Sequence, residues 1–279
     1  MTASLPAGLR ERVMAATHQV RLAGHCVPEV IEDSPVEAFA HAADAFYLTL
    51  CSLGAADWSR PVLRDLDVQG LVGHLIGVED DVQRSLAGDP EVASADHVRS
   101  TQPAALRQAG RPPAVTLQDW RRAADRTLGQ VADLDAVVAL HGFPLPVRDL
   151  LVGRTFELWT HENDIRTVAG LPLSAPAPST LRPMTRLATA LLPFGAAFTD
   201  LRAAISLHLV LTGPGGGTWD VAVGEPSPDP AALGIVTDVV GFCRLFSNRV
   251  SPADLDVFVT GDPRQAGSVL AAATALALD

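Results

Sequence analysis

The residues with the most chemistry to offer stand together in Arg154-Thr-Phe-Glu157-Leu-Trp-Thr-His161-Glu-Asn-Asp164-Ile-Arg166. Read as a helix at about 100° per residue, the stretch brings Glu157, His161 and Asp164 within about 60° of one another. Leu150 and Val168 share that azimuth at the two ends, and Leu158 and Ile165 flank it. The ordinary solvent face of such a helix falls elsewhere, at Thr155, Glu162 and Arg166. The helix is therefore expected to have two polar faces, one of them set among apolar neighbours. A carboxylate and an imidazole in such surroundings need partners, and a metal ion is one way to provide them.

Glu157 and His161 form an E-x3-H pair, whose spacing places both side chains on adjacent turns of one face. Many helices carry this pair by chance, and a simple Glu–His contact explains it equally well. A third candidate ligand, His74, lies on a separate upstream segment at the margin of an apolar arc. Its plain reading is a half-buried histidine bonded to a backbone carbonyl. Two histidines and a glutamate converging between helices would make a three-ligand zinc site with an open position, although these ligand types also suit nickel, iron or manganese. Asp81 and Asp164 lie near the ligand azimuths. Each could orient a histidine from behind or simply form a salt bridge.

Several elements must position these groups. Residues 1–33 carry a short helical pattern over Leu9–Val20 and read as an N-terminal extension. Ser34-Pro35-Val36-Glu37 is a capping-box helix start, and Gly54 ends that helix. Asp67 caps a second helix, which contains His74 and ends near Gly88. Residues 89–115 read as a long loop; His97 lies there and could approach a site, but reads more simply as a solvated surface histidine. Thr116 is expected to cap a third helix running to about Val131. The fourth helix follows Pro144 and Pro146, holds the Glu157–His161 pair and stops at Gly170.

Residues 171–180 form a Pro-rich linker, followed by a helix over about 181–192. A strand over Ala203–Leu211 and its hairpin partner over Thr218–Val223 flank Gly213-Pro-Gly-Gly-Gly217. That glycine cluster lacks the Gly-Lys-Ser/Thr ending of a phosphate loop. Residues 231–247 read as helix, Leu255–Thr260 as strand and Gln265–Leu278 as a closing helix. Helices followed by a mixed segment argue for two domains: 34–170, and 181–279 beyond the linker.

Composition narrows the function classes. The 279 residues carry a formal charge of −11 without a basic run, which disfavours nucleic acid and anionic lipid as partners. Lysine is absent, so no lysine Schiff base or P-loop lysine exists. Cys26, Cys51 and Cys243 are widely spaced, with no Cys-x-x-Cys pair. This fits a reducing, cytoplasmic setting. No apolar run reaches membrane-spanning length, and Arg10, Glu11 and Arg12 interrupt the place of a signal peptide.

At the candidate ligands the chain resembles the mycothiol-dependent maleylpyruvate isomerase family over about 34–279. Three patches carry the resemblance: Asp57-Trp-Ser-Arg-Pro61 with Val68-Gln-Gly-Leu-Val-Gly-His74; Arg154-x-x-Glu157-x-x-x-His161-x-x-Asp164; and Val210-Leu-Thr-Gly-Pro-Gly-Gly-Gly-Thr-Trp219 with Asp256-Val-Phe-Val-Thr-Gly-Asp262. It implies an N-terminal DinB-like antiparallel four-helix bundle followed by a smaller α+β domain. It also implies a divalent metal, zinc above all, held by His74, Glu157 and His161, with mycothiol as the thiol cosubstrate.

Two departures stand out: Asp65-Leu66-Asp67 replaces the family's usual Gly-Trp, and Asn248-Arg249 replaces a Gly-Arg pair. Arg249 would then match the arginine that binds substrate carboxylate, and Asp164 would support the ligands. The expected function is thiol-dependent isomerisation or thiol transfer on a small electrophile, by a monomer or small homo-oligomer. The alternative is a binding module that holds metal or a small ligand without turnover.

Overall fold

In the computed structural model, residues 30–275 and 277 are described. The helical pattern over Leu9–Val20, and Cys26, lie outside them. The first described helix, α1 (Pro35–Cys51), begins as the sequence predicts. The Ser34 hydroxyl accepts from Glu37 N, and the Glu37 carboxylate accepts from Ser34 N. A short hairpin, β1 (Pro61–Leu63) and β2 (Leu66–Asp67), leads into α2 (Val68–Leu86), which Asp67 caps through Gly70 N.

The expected loop over 89–115 is instead largely helical, as α3 (Pro90–Ala93) and α4 (His97–Gln108), with Asp89 and Asp96 capping the two starts. The hydrophobic pattern misses α4 because its inner face is built of small residues, Thr101, Ala104 and Ala105, rather than large apolar ones. Next comes α5 (Pro113–Gln130). It begins at Pro113, so Thr116 is not its cap; that residue is buried within the helix and donates its hydroxyl to Gln108 Oε1 at 2.9 Å.

The hairpin β3 (Val137–Leu140) and β4 (Phe143–Pro146) then delivers the chain into the long helix α6 (Val147–Ala169). Gly170, at φ 69°, ends α6 in the left-handed conformation that glycine adopts without steric cost.

Helix α6 is covered on two sides. Leu151, Leu158 and Ile165 join Phe39, Phe46, Leu71, Leu75 and Trp120 in the helical core. Val152, Phe156 and Trp159 instead enter the core of the C-terminal part. Packing on both sides removes the expected solvent face: Thr155 and Glu162 are buried. Thr155 donates to Leu151 O, and Glu162 Oε1 accepts from Thr49 and Arg166.

The C-terminal part starts with α7 (Pro178–Ala197). Its sheet has the order β6-β5-β7-β8, from β5 (Ile205–Thr212), β6 (Gly217–Val223), β7 (Ala231–Asp238) and β8 (Val257–Thr260). Strands β5 and β6 are an antiparallel hairpin, β7 runs parallel to β5, and β8 is antiparallel to β7. Ile205, Leu207, Leu209 and Leu211 face the core in strict alternation.

The helix expected over 231–247 is β7 followed by α8 (Val239–Phe246). Leu233, Ile235 and Thr237 alternate inward, and Asp238 breaks the run by capping α8 through Val240 N and Gly241 N. Helix α9 (Pro263–Thr274) closes the chain's described part. The architecture is α+β, a helix-rich N-terminal region with a small C-terminal sheet domain. Among the described residues, no helix is long and apolar enough to cross a membrane.

Candidate metal centre

His74 comes from the middle of α2, and Glu157 and His161 come from adjacent turns of α6. One donor atom from each of the three lies within 4.8 Å of the other two. The structure therefore gathers the three residues that the sequence singles out. His74 does not bond a backbone carbonyl, as its plain reading has it. Its Nδ1 lies 2.7 Å from Thr101 Oγ1. That hydroxyl donates to His97 O at 2.9 Å and to Val98 O at 3.2 Å, so it can only accept from the imidazole. The proton therefore sits on His74 Nδ1, and Nε2 presents a lone pair.

The same reasoning holds on α6. His161 Nδ1 is 3.0 Å from Asp164 Oδ2, which places the proton on Nδ1 and the lone pair on Nε2. Between these rings lies Glu157 Oε1, which is buried and accepts no hydrogen bond. His74 Nε2 stands 3.7 Å from it. That is too long for a hydrogen bond but suits two ligands of one cation. Electron pairs converging on a buried point repel one another unless a positive charge lies between them, so the donor set fits a divalent metal.

The charge on Glu157 is secured from behind. Burial works against its ionisation, but the Arg154 guanidinium overrides it and holds the carboxyl well below its ordinary 4.5. Arg154 also donates to Glu79 Oε1 at 2.8 Å, and both members of that pair are buried, at 2 % and 0 % exposure. Thr127 donates to the other Glu79 oxygen at 2.7 Å.

Asp164 lies beside the centre, with Oδ2 3.0 Å from His161 Nδ1. Arg249 Nε and NH2 donate to its two oxygens at 2.7 and 2.8 Å, and Arg249 NH1 donates to Ser247 O. Burial alone would raise the Asp164 pKa; the Arg249 and His161 bonds lower it below 3.8. Arg249 thus reaches the centre through Asp164. Both line a cavity of about 270 Å³ together with Trp159, Thr160 and Arg244.

His97 is not a solvated surface histidine. It is buried, with Nε2 also 3.7 Å from Glu157 Oε1. Burial pushes its pKa down to about 4, which keeps the ring neutral at pH 7. Its Nδ1 meets His141 Nδ1 at 3.1 Å, and His141 Nε2 meets Asp81 Oδ2 at 3.1 Å. Asp81 therefore supports His141 rather than any of the three candidate ligands. His141 and Gly142 form the two-residue turn between β3 and β4, both at positive φ (50° and 87°). Such turns favour left-handed residues, and His-Gly between two short apolar runs is the signal that could have drawn attention to His141.

Helix α4 lies against α2 because Gly73 and Gly77 permit it. A Cβ on Gly73 would come within 2.8 Å of Ala105 Cα, and one on Gly77 within 3.0 Å of Thr101 Cα. The Gly-x-x-x-Gly spacing around His74 is the sequence trace of this approach, which brings Thr101 and His97 to the centre.

Residues 39–166 match the family model described as the mycothiol maleylpyruvate isomerase N-terminal domain. Two crystal structures share the fold: the mycothiol-dependent maleylpyruvate isomerase, at 14% identity and TM-score 0.55, and a histidine-to-alanine mutant of it, at 13% and 0.56. Each alignment covers 82% of this chain and 92% of the other. Among curated proteins, nothing matches the chain.

Proposed function

We propose that this chain, whose residues 39–166 match the model of the mycothiol maleylpyruvate isomerase N-terminal domain, is a metal-dependent enzyme using a low-molecular-weight thiol, mycothiol, on a small electrophile. The observation that carries this reading is the buried, unbonded Glu157 Oε1 facing imidazole nitrogens that present electron pairs. His74, Glu157 and His161 would hold the ion, with zinc the best match to two imidazoles and a carboxylate. When bound, the metal supplies Lewis acidity that favours the thiolate form of a coordinated thiol.

The remaining work falls to the chain. Thr101 and Asp164 fix the tautomers of His74 and His161, and Arg154 keeps Glu157 ionised. The cavity would hold the electrophile beside the Asp164–Arg249 pair, with Arg244 giving its wall positive charge suited to a carboxylate substrate. The thiol would come from outside the chain: among the described residues no cysteine lines the cavity, and burial raises the pKa of Cys243 to about 12, so it is inert at neutral pH. Isomerisation and thiol transfer both begin with addition of the thiolate to the electrophile, and differ in whether the thiol leaves again.

The second reading is metal or small-ligand binding without turnover. It is favoured by Arg249, which commits two nitrogens to Asp164 and one to Ser247 O. Elemental analysis should find one metal per chain, lost in His74→Ala and in His161→Ala. Metal-replete protein should consume mycothiol with electrophiles such as maleylpyruvate. No stoichiometric metal in the wild type would end both metal readings. Retained metal with no turnover across thiols and electrophiles would leave the binding role.

A further inference from the structure

The three-residue centre leaves one buried imidazole unexplained. We propose that His97 is a fourth protein ligand of the same ion, presented by an Asp81–His141 support. The inference rests on the reading of the centre as a metal site. His97 Nε2 and His74 Nε2 stand at the same distance, 3.7 Å, from Glu157 Oε1. The His97 and His74 ring centroids are 5.0 Å apart; the donor atoms already within 4.8 Å of one another are those of His74, Glu157 and His161, so His97 would join them by closing on the ion.

The hydrogen-bond chain decides which atom His97 offers. The Asp81 carboxylate only accepts, so it fixes a proton on His141 Nε2; in the tautomer with that single proton, His141 Nδ1 is an acceptor. His97 must then donate from Nδ1 to His141 Nδ1, which leaves a lone pair on Nε2. That lone pair faces Glu157 Oε1, itself an acceptor without a hydrogen bond. Two acceptors held face to face in a buried site are stabilised by a cation between them.

A carboxylate behind a histidine is the usual support of a metal-bound imidazole. Here one further ring extends that support, so that Asp81 acts on His97 through His141. The fold invests in this arrangement at two places. Gly73 and Gly77 let α4 close on α2, and His141 occupies a left-handed position that a non-glycine residue adopts uncommonly. With His97 as a further protein ligand, a thiol would add as a fifth donor, a coordination number that catalytic zinc can reach.

X-ray absorption of the zinc-loaded wild-type protein tests this directly, because outer-shell scattering counts imidazoles. Three are expected; two would remove His97 and leave the His74–Glu157–His161 centre standing. A wild type that binds no zinc would remove both. In solution, His97→Ala should weaken zinc binding at least about tenfold, the lower end for a lost supporting group. It should also shift the visible bands of the cobalt-substituted protein. Unchanged affinity with an unchanged cobalt spectrum would overturn the assignment. The scattering measurement needs no variant, so it decides the matter even if His97→Ala fails to fold.

Discussion

The helical part and the sheet part bury polar groups in different ways. Among the described residues, every buried charged or histidine side chain lies between His74 and Glu162, including Glu79, Asp81, His97, Arg154 and His161. The C-terminal core buries only uncharged polar side chains, among them Thr180, Thr185, Thr189 and Thr237. Taken over both clusters of the helical part, the two parts enclose comparable sets of Leu, Ile, Val and Phe, so hydrophobic burial suffices to build either. The ionic network in the helical part therefore reads as the cost of a site rather than a means of stability, since a buried ion pair rarely outperforms a well-packed apolar one. Helix α6 is where the two solutions meet, with one apolar face for each core and the polar stripe between them.

The contrast can be broken from either side. The largest effect is expected from Arg154→Ala, which leaves buried Glu79 and half-buried Glu157 without their common cation. Destabilisation of about 3–5 kcal/mol should follow, with loss of metal, as read by urea denaturation and elemental analysis. Leu209→Ala in the sheet core should cost about 3 kcal/mol through the cavity it leaves, yet metal stoichiometry should persist in the folded fraction. If Leu209→Ala loses metal as readily as Arg154→Ala, the two regions are not separable in function. Gly73→Ala comes next. Overpacking against Ala105 should cost about 1–3 kcal/mol and weaken metal binding by displacing α4. Unchanged affinity would show that the α2–α4 approach serves packing alone.

The legible part of the site was the part written on one helix. Glu157, His161 and Asp164 share an azimuth that the 3.6-residue period fixes, and the caps at Ser34 and Asp67 depend on neighbours three residues away. His97 and His141 were not legible in this way. Their positions depend on the closeness of α2 and α4 and on the β3–β4 turn, which are contacts between distant segments. The same limit explains residues 231–238. Apolar and small residues there are compatible with helix locally, and parallel pairing with β5 makes them a strand. The buried state of Thr155 and Glu162 likewise required knowing that a second core covers α6.

The finest test of the contrast lies at Asp164, where the polar stripe meets the cavity. Asp164→Asn keeps the shape but removes the charge that holds His161 and Arg249. Zinc affinity should fall on the order of 10–100-fold with stoichiometry retained; wild-type affinity would reduce Asp164 to a packing residue. The acid limb of stability of the metal-free protein gives a second readout. The folded pKa of Asp164 is lowered from 3.8, so its contribution is fully present above 3.8 and is lost as pH falls through the lower folded value. Glu157, lowered from 4.5, behaves in the same sense. Wild-type protein should therefore lose stability more steeply on acidification below this range than Asp164→Asn, measured as the urea midpoint against pH. Parallel curves would mean that the charge of Asp164 is not used by the fold, and the stripe would then end at His161.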